Sequence, residues 1–265
     1  MVKRTPLTVG TFNVNGIHAR LPLCERLCAD KNSGIDVLCL QEVKTESEKF
    51  PYDEFARWGY QSVCWGRRGR HGVALCSRVP IKDVRKGWGE EAEDEERRIL
   101  SGMVRGYRVF SLYAPHGDRE GSEKYFAKLE WYLQLLTYLT GHFRPSEKIV
   151  MMGDFNVARS DTDVYNARAG GNAVGTYPKE REVFNDLLNW GLHDLFREKY
   201  PRKKAFTWWD YYGDAWKKNR GMRIDYALGT APVRDKLVRI TVARAARARK
   251  SPKPSDHAPV IAQLR

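Results

Sequence analysis

The chain has 265 residues, 42% of them hydrophobic, and its 46 Lys and Arg against 33 Asp and Glu leave a formal net charge of +13. This composition excludes a wholly disordered chain, and no apolar run reaches the ~18 residues that a membrane-spanning helix requires. The length fits one domain over residues 1–265 with an ample core. Met1–Thr5 is basic but lacks the apolar stretch of a signal peptide. Five cysteines, an odd number with no CxxC pair, argue against a disulfide framework or a Cys-built zinc site and point to a reducing compartment inside the cell.

In chain order, Leu7–Asn13 has strand character, and Leu21–Lys31 reads as an amphipathic helix. Asp36–Gln41 is a short apolar run of the buried-strand kind. Further strands are expected at Tyr60–Trp65, Gly72–Ser77, Arg98–Arg105 and Arg108–Tyr113, punctuated by glycines and prolines. Ser122–His142 is the longest helix, with Phe126, Leu129, Leu133 and Leu136 as its apolar stripe. Lys148–Met152 is another apolar strand. The Gly-rich stretch Ala167–Gly175 reads as a surface loop. Pro178–Trp190 is a helix opened by proline and stopped by Gly191. Strands at Ile224–Leu228, Leu237–Val242 and Ala258–Leu264 close the chain. Helices are too few for strict βαβ alternation, so the expected fold is an α/β sandwich of two sheets face to face with helices outside. Neither GxxxxGK[ST] nor GxGxxG occurs, which disfavours a P-loop or dinucleotide-binding enzyme.

Charge is unevenly spread. Glu90–Glu96 is acidic, whereas Arg67, Arg68 and Arg70, then Lys217, Lys218, Arg220 and Arg223, then Arg234–Lys253 are basic. Aromatic residues interleave with bases around Trp208, Trp209, Tyr211, Tyr212 and Trp216, a pattern suited equally to half-buried packing or to a nucleic-acid groove.

The strand ends carry the chemistry. Apolar strands run into Asn13 and Asn15, into Glu42, into Asp154 and Asn156, and toward Asp256 and His257, and Asp225 lies within an apolar strand. Each alone reads as a turn or capping residue. Together Glu42, Asn13, Asp154, Asn156 and Asp256 form a set of hard oxygen ligands, suited to Mg²⁺ or Mn²⁺ rather than zinc. His257 is a candidate general base with Asp225 as its orienting acid. A hard ion, a His–Asp pair and Tyr or Asn donors around developing phosphate charge describe phosphodiester hydrolysis.

Five segments, Phe12-Asn13-Val14-Asn15-Gly16, Leu40-Gln41-Glu42, Tyr113-x-Pro, Gly153-Asp154-Phe155-Asn156 and Ser255-Asp256-His257-x-Pro, resemble the endonuclease/exonuclease/phosphatase superfamily in its expected order. Phe206–Tyr211, Asn219–Asp225, Gly72–Leu75, Pro178–Glu182 and Trp190–Phe196 are similar to its exonuclease III-like apurinic/apyrimidinic (AP) endonucleases. The resemblance implies a four-layered α/β sandwich and one active site. It also implies a Mg²⁺-dependent enzyme, with Mn²⁺ as substitute, that cuts duplex DNA 5′ to abasic sites and has accompanying 3′-to-5′ exonuclease or 3′ end-cleaning activity; a monomer is the default expectation. Phosphoester hydrolysis of an inositol phosphate or a lipid is the alternative within the superfamily. By the same resemblance Glu42, Asn13, Asp154, Asn156 and Asp256 surround the ion, and Tyr113, Asp154, Asn156, Asp225 and His257 act on the phosphate. Trp208, His116, Arg220 and Arg223 are expected to face DNA or the abasic pocket. Asn15 stands where some relatives carry Asp, and His71 and His116 replace commoner residues at positions facing DNA. Arg244–Lys253 reads as an extra phosphate-binding arm, with a solvated loop as the alternative.

Overall fold

The computed structural model describes residues 6–29, 34–89, 96–166, 173–248, 251 and 253–265. The apolar runs form strands buried along their length, as sheets covered on both faces require. The first sheet contains β1 (Leu7–Asn13), β2 (Val37–Gln41), β3 (Gln61–Arg67), β4 (Arg70–Ser77), β11 (Leu237–Val242) and β12 (Val260–Leu264), in the order β11-β12-β1-β2-β4-β3. The second contains β5 (Lys82–Lys86), β6 (Ile99–Val104), β7 (Tyr107–Tyr113), β8 (Ile149–Asp154), β9 (Leu192–Asp194) and β10 (Asp225–Thr230), in the order β5-β6-β7-β8-β10-β9. Each sheet is antiparallel except for one central parallel pair, β1 with β2 and β7 with β8.

Three cores stack these layers. Val9, Val37, Cys39, Val73 and Leu75 of the first sheet meet Leu100, Val109, Val150, Met152 and Ala227 of the second. On the outer face of the first sheet, Phe12, Leu38, Leu40, Ala74 and Cys76 pack against helices α1 (Ile17–Ala29) and α2 (Tyr52–Arg57). On the outer face of the second, Phe110, Leu112 and Phe155 pack against α3 (Glu123–His142) and α4 (Pro178–Asn189). Short helices α5 (Leu195–Lys199) and α6 (Ala231–Arg234) follow β9 and β10. The result is a four-layered α/β sandwich, as expected from the sequence.

Several local expectations need correction. The first helix begins at Ile17, four residues early, and the acidic run before Glu96 and most of the Gly-rich loop, through residue 172, lie outside the described residues. In α3, capped by Ser122 accepting from the Tyr125 amide at 3.2 Å, the buried face is Tyr125, Lys128, Trp131, Tyr132, Leu135, Tyr138 and Leu139. Phe126 and Leu133 of the expected stripe are 57% and 53% exposed. Two apolar stripes compete on this helix, and the one with more aromatic area wins the core.

Arg223, expected at the DNA face, is instead 1% exposed. Its guanidinium reaches Asp163 Oδ1 at 2.7 Å and both oxygens of Asp194, at 3.1 and 2.7 Å. Arg197 also bonds Asp163, and the Arg223 guanidinium lies over the Tyr226 ring. A guanidinium buried this completely, with three of its five N–H donors on two buried carboxylates, does not reach DNA. Removing it strands Asp194 beneath the sheet. Arg223→Ala should therefore destabilise the fold by about 3–5 kcal/mol in thermal or denaturant unfolding; a loss under about 1 kcal/mol would show that Arg223 is not part of the core.

Candidate active site

Strand register assembles the site from both sheets. In the first, Asn13 ends β1 opposite Gln41 of β2, and Glu42 follows with a left-handed φ of 49°. In the second, Tyr113 lies opposite Asp154, and Asp154 lies opposite Asp225. Three adjacent strands thus deliver Tyr113, Asp154 and Asp225 side by side. Asn15, Lys44 and Asn156 also have positive φ, at 46°, 52° and 53°. Four non-glycine residues in this costly conformation around one cavity mark the backbone as strained there.

Asn13 joins the two sheets. Its Nδ2 donates to Glu42 Oε1 at 2.8 Å and to Asp154 Oδ2 at 2.9 Å, while its Oδ1 accepts the Asn15 amide at 3.0 Å. The Asn15 bond fixes the orientation of the amide, so both amino protons are spent on carboxylates. Asn13, expected from the sequence beside the ion, bridges the two carboxylates through its amino group.

His257 lies between two acids. Its Nδ1 is 2.9 and 3.1 Å from the Asp225 oxygens, and its Nε2 is 3.7 Å from Asp154 Oδ2. Burial opposes charge on the ring, but Asp225 and then Asp154 more than compensate and raise its pKa from 6.5 to about 10. The raised pKa favours the imidazolium, a donor, at neutral pH over the general base expected from the sequence. Asp154 is pushed toward its neutral form. Burial chiefly, with Asp225 adding to it, lifts its pKa to about 7 against the pull of His257. Burial also pushes Glu42 up, yet the Lys44 ammonium, 2.8 Å from Oε2, and the Asn13 amide hold it below the ordinary value.

These groups floor a cavity of about 200 Å³. Glu42, Tyr113, Asp154, Asn156 and His257 form its polar side, and Trp208, Met222, Ile224 and Val174 its apolar wall. Trp208 is half-buried and its Nε1 donates to Asp256 Oδ2 at 3.1 Å, whereas Trp209 is wholly buried. His116 is exposed at the rim. Arg220 is exposed outside the cavity and donates to the Gly213 carbonyl.

Among the described residues, ligand atoms of Glu42, Asp154 and His257 lie within 4.8 Å of one another. With Asp225 and Asp256 nearby, four carboxyls share the cations His257 and Lys44, a deficit that one divalent cation would fill. The donor chemistry fits a hard ion held by Glu42 and Asp154. Asp256 lines the same cavity, and its oxygens accept from Asn15 Nδ2 at 3.0 Å, from Ser255 Oγ and from Trp208 Nε1 at 3.1 Å.

One residue escaped the sequence reading. Lys128, on the buried face of α3, is 0% exposed, and its ammonium donates to Glu180 Oε1 at 2.6 Å, the Asn156 carbonyl at 2.7 Å and the His116 carbonyl at 3.1 Å. It ties both active-site loops to α4. The only available signal was a lysine three residues from both Tyr125 and Trp131.

Residues 10–257 match the Endonuclease/Exonuclease/phosphatase family. The chain belongs to that family. It is 33% identical to exodeoxyribonuclease III of Haemophilus influenzae over 269 aligned residues, covering 96% of this chain and 98% of the relative. An AP endonuclease from Archaeoglobus fulgidus superposes with a TM-score of 0.92 at 34% identity, covering 97% of this chain and 99% of that one. A 3′ phosphatase from Neisseria, solved with a product DNA hairpin, superposes with a TM-score of 0.92 at 32% identity, covering 98% and 99%. As a member of this family the chain is a hydrolase of the nuclease kind.

The imidazolium can be checked directly. A folded-state pKa raised from 6.5 to about 10 stabilises the fold fully below pH 6.5, and the contribution is lost as pH rises through about 10. In an NMR titration the His257 ring should stay protonated through neutrality, and Asp225→Asn should lower its pKa. A wild-type ring titrating near 6.5 would contradict this electrostatic account.

Proposed function

We propose that this chain is a Mg²⁺-dependent DNA repair nuclease that hydrolyses the phosphodiester 5′ to an abasic site in duplex DNA. The products are a 3′-hydroxyl and a 5′-deoxyribose phosphate, and 3′-to-5′ exonuclease or 3′ end-cleaning activity accompanies the incision. The observation that carries this reading is the meeting of Glu42 and Asp154, from different sheets, beside the His257 imidazolium on the floor of a small cavity walled by Trp208. The reported relatives, an exodeoxyribonuclease, an AP endonuclease and a DNA-bound 3′ phosphatase, support DNA as the substrate.

The chemistry follows from the geometry. Water attacks phosphorus, a new P–O bond forms, and the P–O3′ bond breaks, leaving the 3′ oxygen to acquire a proton. Asp154, whose pKa burial pushes up, faces the cavity as the group that takes the water's proton. The His257 imidazolium, held by Asp225, donates to a non-bridging oxygen and stabilises the charge that grows there. Tyr113 and Asn156 line the same cavity and add donors. Asn156 spends one amide proton on the Ala114 carbonyl, at 2.9 Å, which fixes the plane of the other. A bound Mg²⁺, held by Glu42 and Asp154, would neutralise phosphate charge and lower the pKa of a coordinated water. The apolar wall selects by size. A cavity of about 200 Å³ lined by Trp208, Met222 and Ile224 suits a flipped-out sugar without a base, and extrusion is least costly where no base is stacked.

A labelled duplex with one abasic analogue, beside the undamaged duplex, tests the reading. Chelation should abolish incision and Mg²⁺ or Mn²⁺ should restore it, and Glu42→Ala should lower turnover by at least two orders of magnitude with the fold intact. Full activity in excess chelator would refute it.

The two tryptophans should part company. Trp208→Ala should leave the melting temperature nearly unchanged while abasic incision falls, whereas Trp209→Ala should cost the fold about 3–5 kcal/mol. A large loss of stability in Trp208→Ala, with normal abasic selectivity in the folded fraction, would place Trp208 in the core instead.

A further inference from the structure

Three cations gather around Tyr211, three residues beyond Trp208. Arg20 Nη2 donates to the Tyr211 hydroxyl at 3.1 Å, and that hydroxyl donates to the Pro254 carbonyl at 2.8 Å. The Arg247 guanidinium lies 5.3 Å from the ring centroid and Lys253 Nζ lies 4.9 Å from it. Arg247 is 7% exposed, packed between Tyr211 and Trp216, and its hydrogen bond to the Trp209 carbonyl is a long 3.5 Å. The Nε atoms of Arg20 and Arg247 are buried without a hydrogen-bond partner. Among the described residues none of the three cations is paired with a carboxylate. Burial pulls the Arg247 pKa down, as expected of a guanidinium lacking a close counter-ion.

Like charges brought together repel, and one aromatic ring offsets only part of that repulsion. Asp256 is the neighbouring acid, but its oxygens face Asn15, Ser255 and Trp208. Arg20 also sits in the first turn of α1, where the helix dipole is positive and no acidic side chain balances it. Arg244 differs from the other three. It stacks on Trp209 and Trp216 at 4.8 and 5.0 Å and bonds Asn219, so it clamps the aromatic loop. Of the run Arg244–Lys253, expected to be an arm or a loop, residues 249, 250 and 252 lie outside the described residues.

We propose that Arg20, Arg247 and Lys253 seat one backbone phosphate of the bound DNA, beside the cavity that takes the scissile phosphate. This rests on the reading that the chain acts on DNA. Lys253 is exposed and Arg20 half-buried, and these two supply the direct donors, while Arg247 is a fixed charge behind the ring. The segments that carry Trp208 and Asp256 also carry Tyr211 and Lys253, so the seat adjoins the cavity wall and holds the strand that enters it.

The test is the binding of abasic-analogue and undamaged duplexes across a salt series, without catalysis. The double variant Arg20→Met with Lys253→Met keeps the apolar stems of one half-buried and one exposed side chain, and thermal melting checks that it folds. Loss of one phosphate contact should reduce the log–log salt slope by about 0.9. In a scan of single neutral methylphosphonates along the strand, one position should weaken wild-type binding about tenfold and the double variant less than twofold. An unchanged slope, with equal penalties in both proteins at every position, would overturn the seat and leave these cations as a clamp. Wild-type affinity that is weak and indifferent to salt would overturn the DNA reading itself and the seat with it.

Discussion

Four carboxyl groups, Glu42, Asp154, Asp225 and Asp256, converge at the ends of two sheets, and their mutual repulsion is the constraint around which the site is built. Asn13 meets it first, with one amide spread across Glu42 and Asp154. His257 meets it next, a cation placed between Asp154 and Asp225. Lys44 neutralises part of Glu42 and also donates to Asn15 Oδ1 at 2.6 Å. The remaining negative charge is the driving force for binding a divalent cation. Burial, with the Asp225 charge adding to it, lifts Asp154 toward neutrality, where a carboxylate can exchange a proton.

The scaffold resists that repulsion through buried ties rather than through the surface. Ser255 Oγ donates to the Asn13 carbonyl at 2.7 Å, and the His257 amide donates to Ser255 Oγ at 3.2 Å, so the last loop is fastened to the first strand. Thr207 Oγ1 accepts the amides of Ile224 and Asp225, both at 3.0 Å, which aligns the strand that orients His257. Lys128 holds the Tyr113–His116 and Asp154–Asn156 loops to one helix. Taking either partner out of the buried Lys128–Glu180 pair would leave a charge unpaired in the core.

Legibility in the sequence followed the physics of each feature. Strands buried on both faces write themselves as apolar runs, so Leu7–Asn13 has the bounds expected of it. The edge strand Lys82–Lys86 is charged and exposed, and gives no such signal. Side chains that break an apolar strand, such as Asp154 and Asp225, stood out because burying them has a cost. What could not be read was which polar groups spend their donors on one another. Asn13 is expected beside the ion, but the sequence does not reveal that its Nδ2 bridges two acids. Arg223 belonged to a basic cluster in the sequence, yet its counter-ions lie 60 and 29 residues away, at Asp163 and Asp194. The imidazolium state of His257 likewise depends on Asp154 lying close in space, which spacing along the chain does not reveal.

The claim that matters most is that a single amide sets the separation of Glu42 and Asp154. Mn²⁺ binding by Asn13→Ala, followed by titration calorimetry beside a single-turnover incision assay, tests it most directly. The variant should fold, bind the ion at least tenfold more weakly, and cut abasic duplex at least a hundredfold more slowly. Near-wild-type ion affinity and rate in a folded Asn13→Ala protein would show that the two carboxylates are positioned without the bridge.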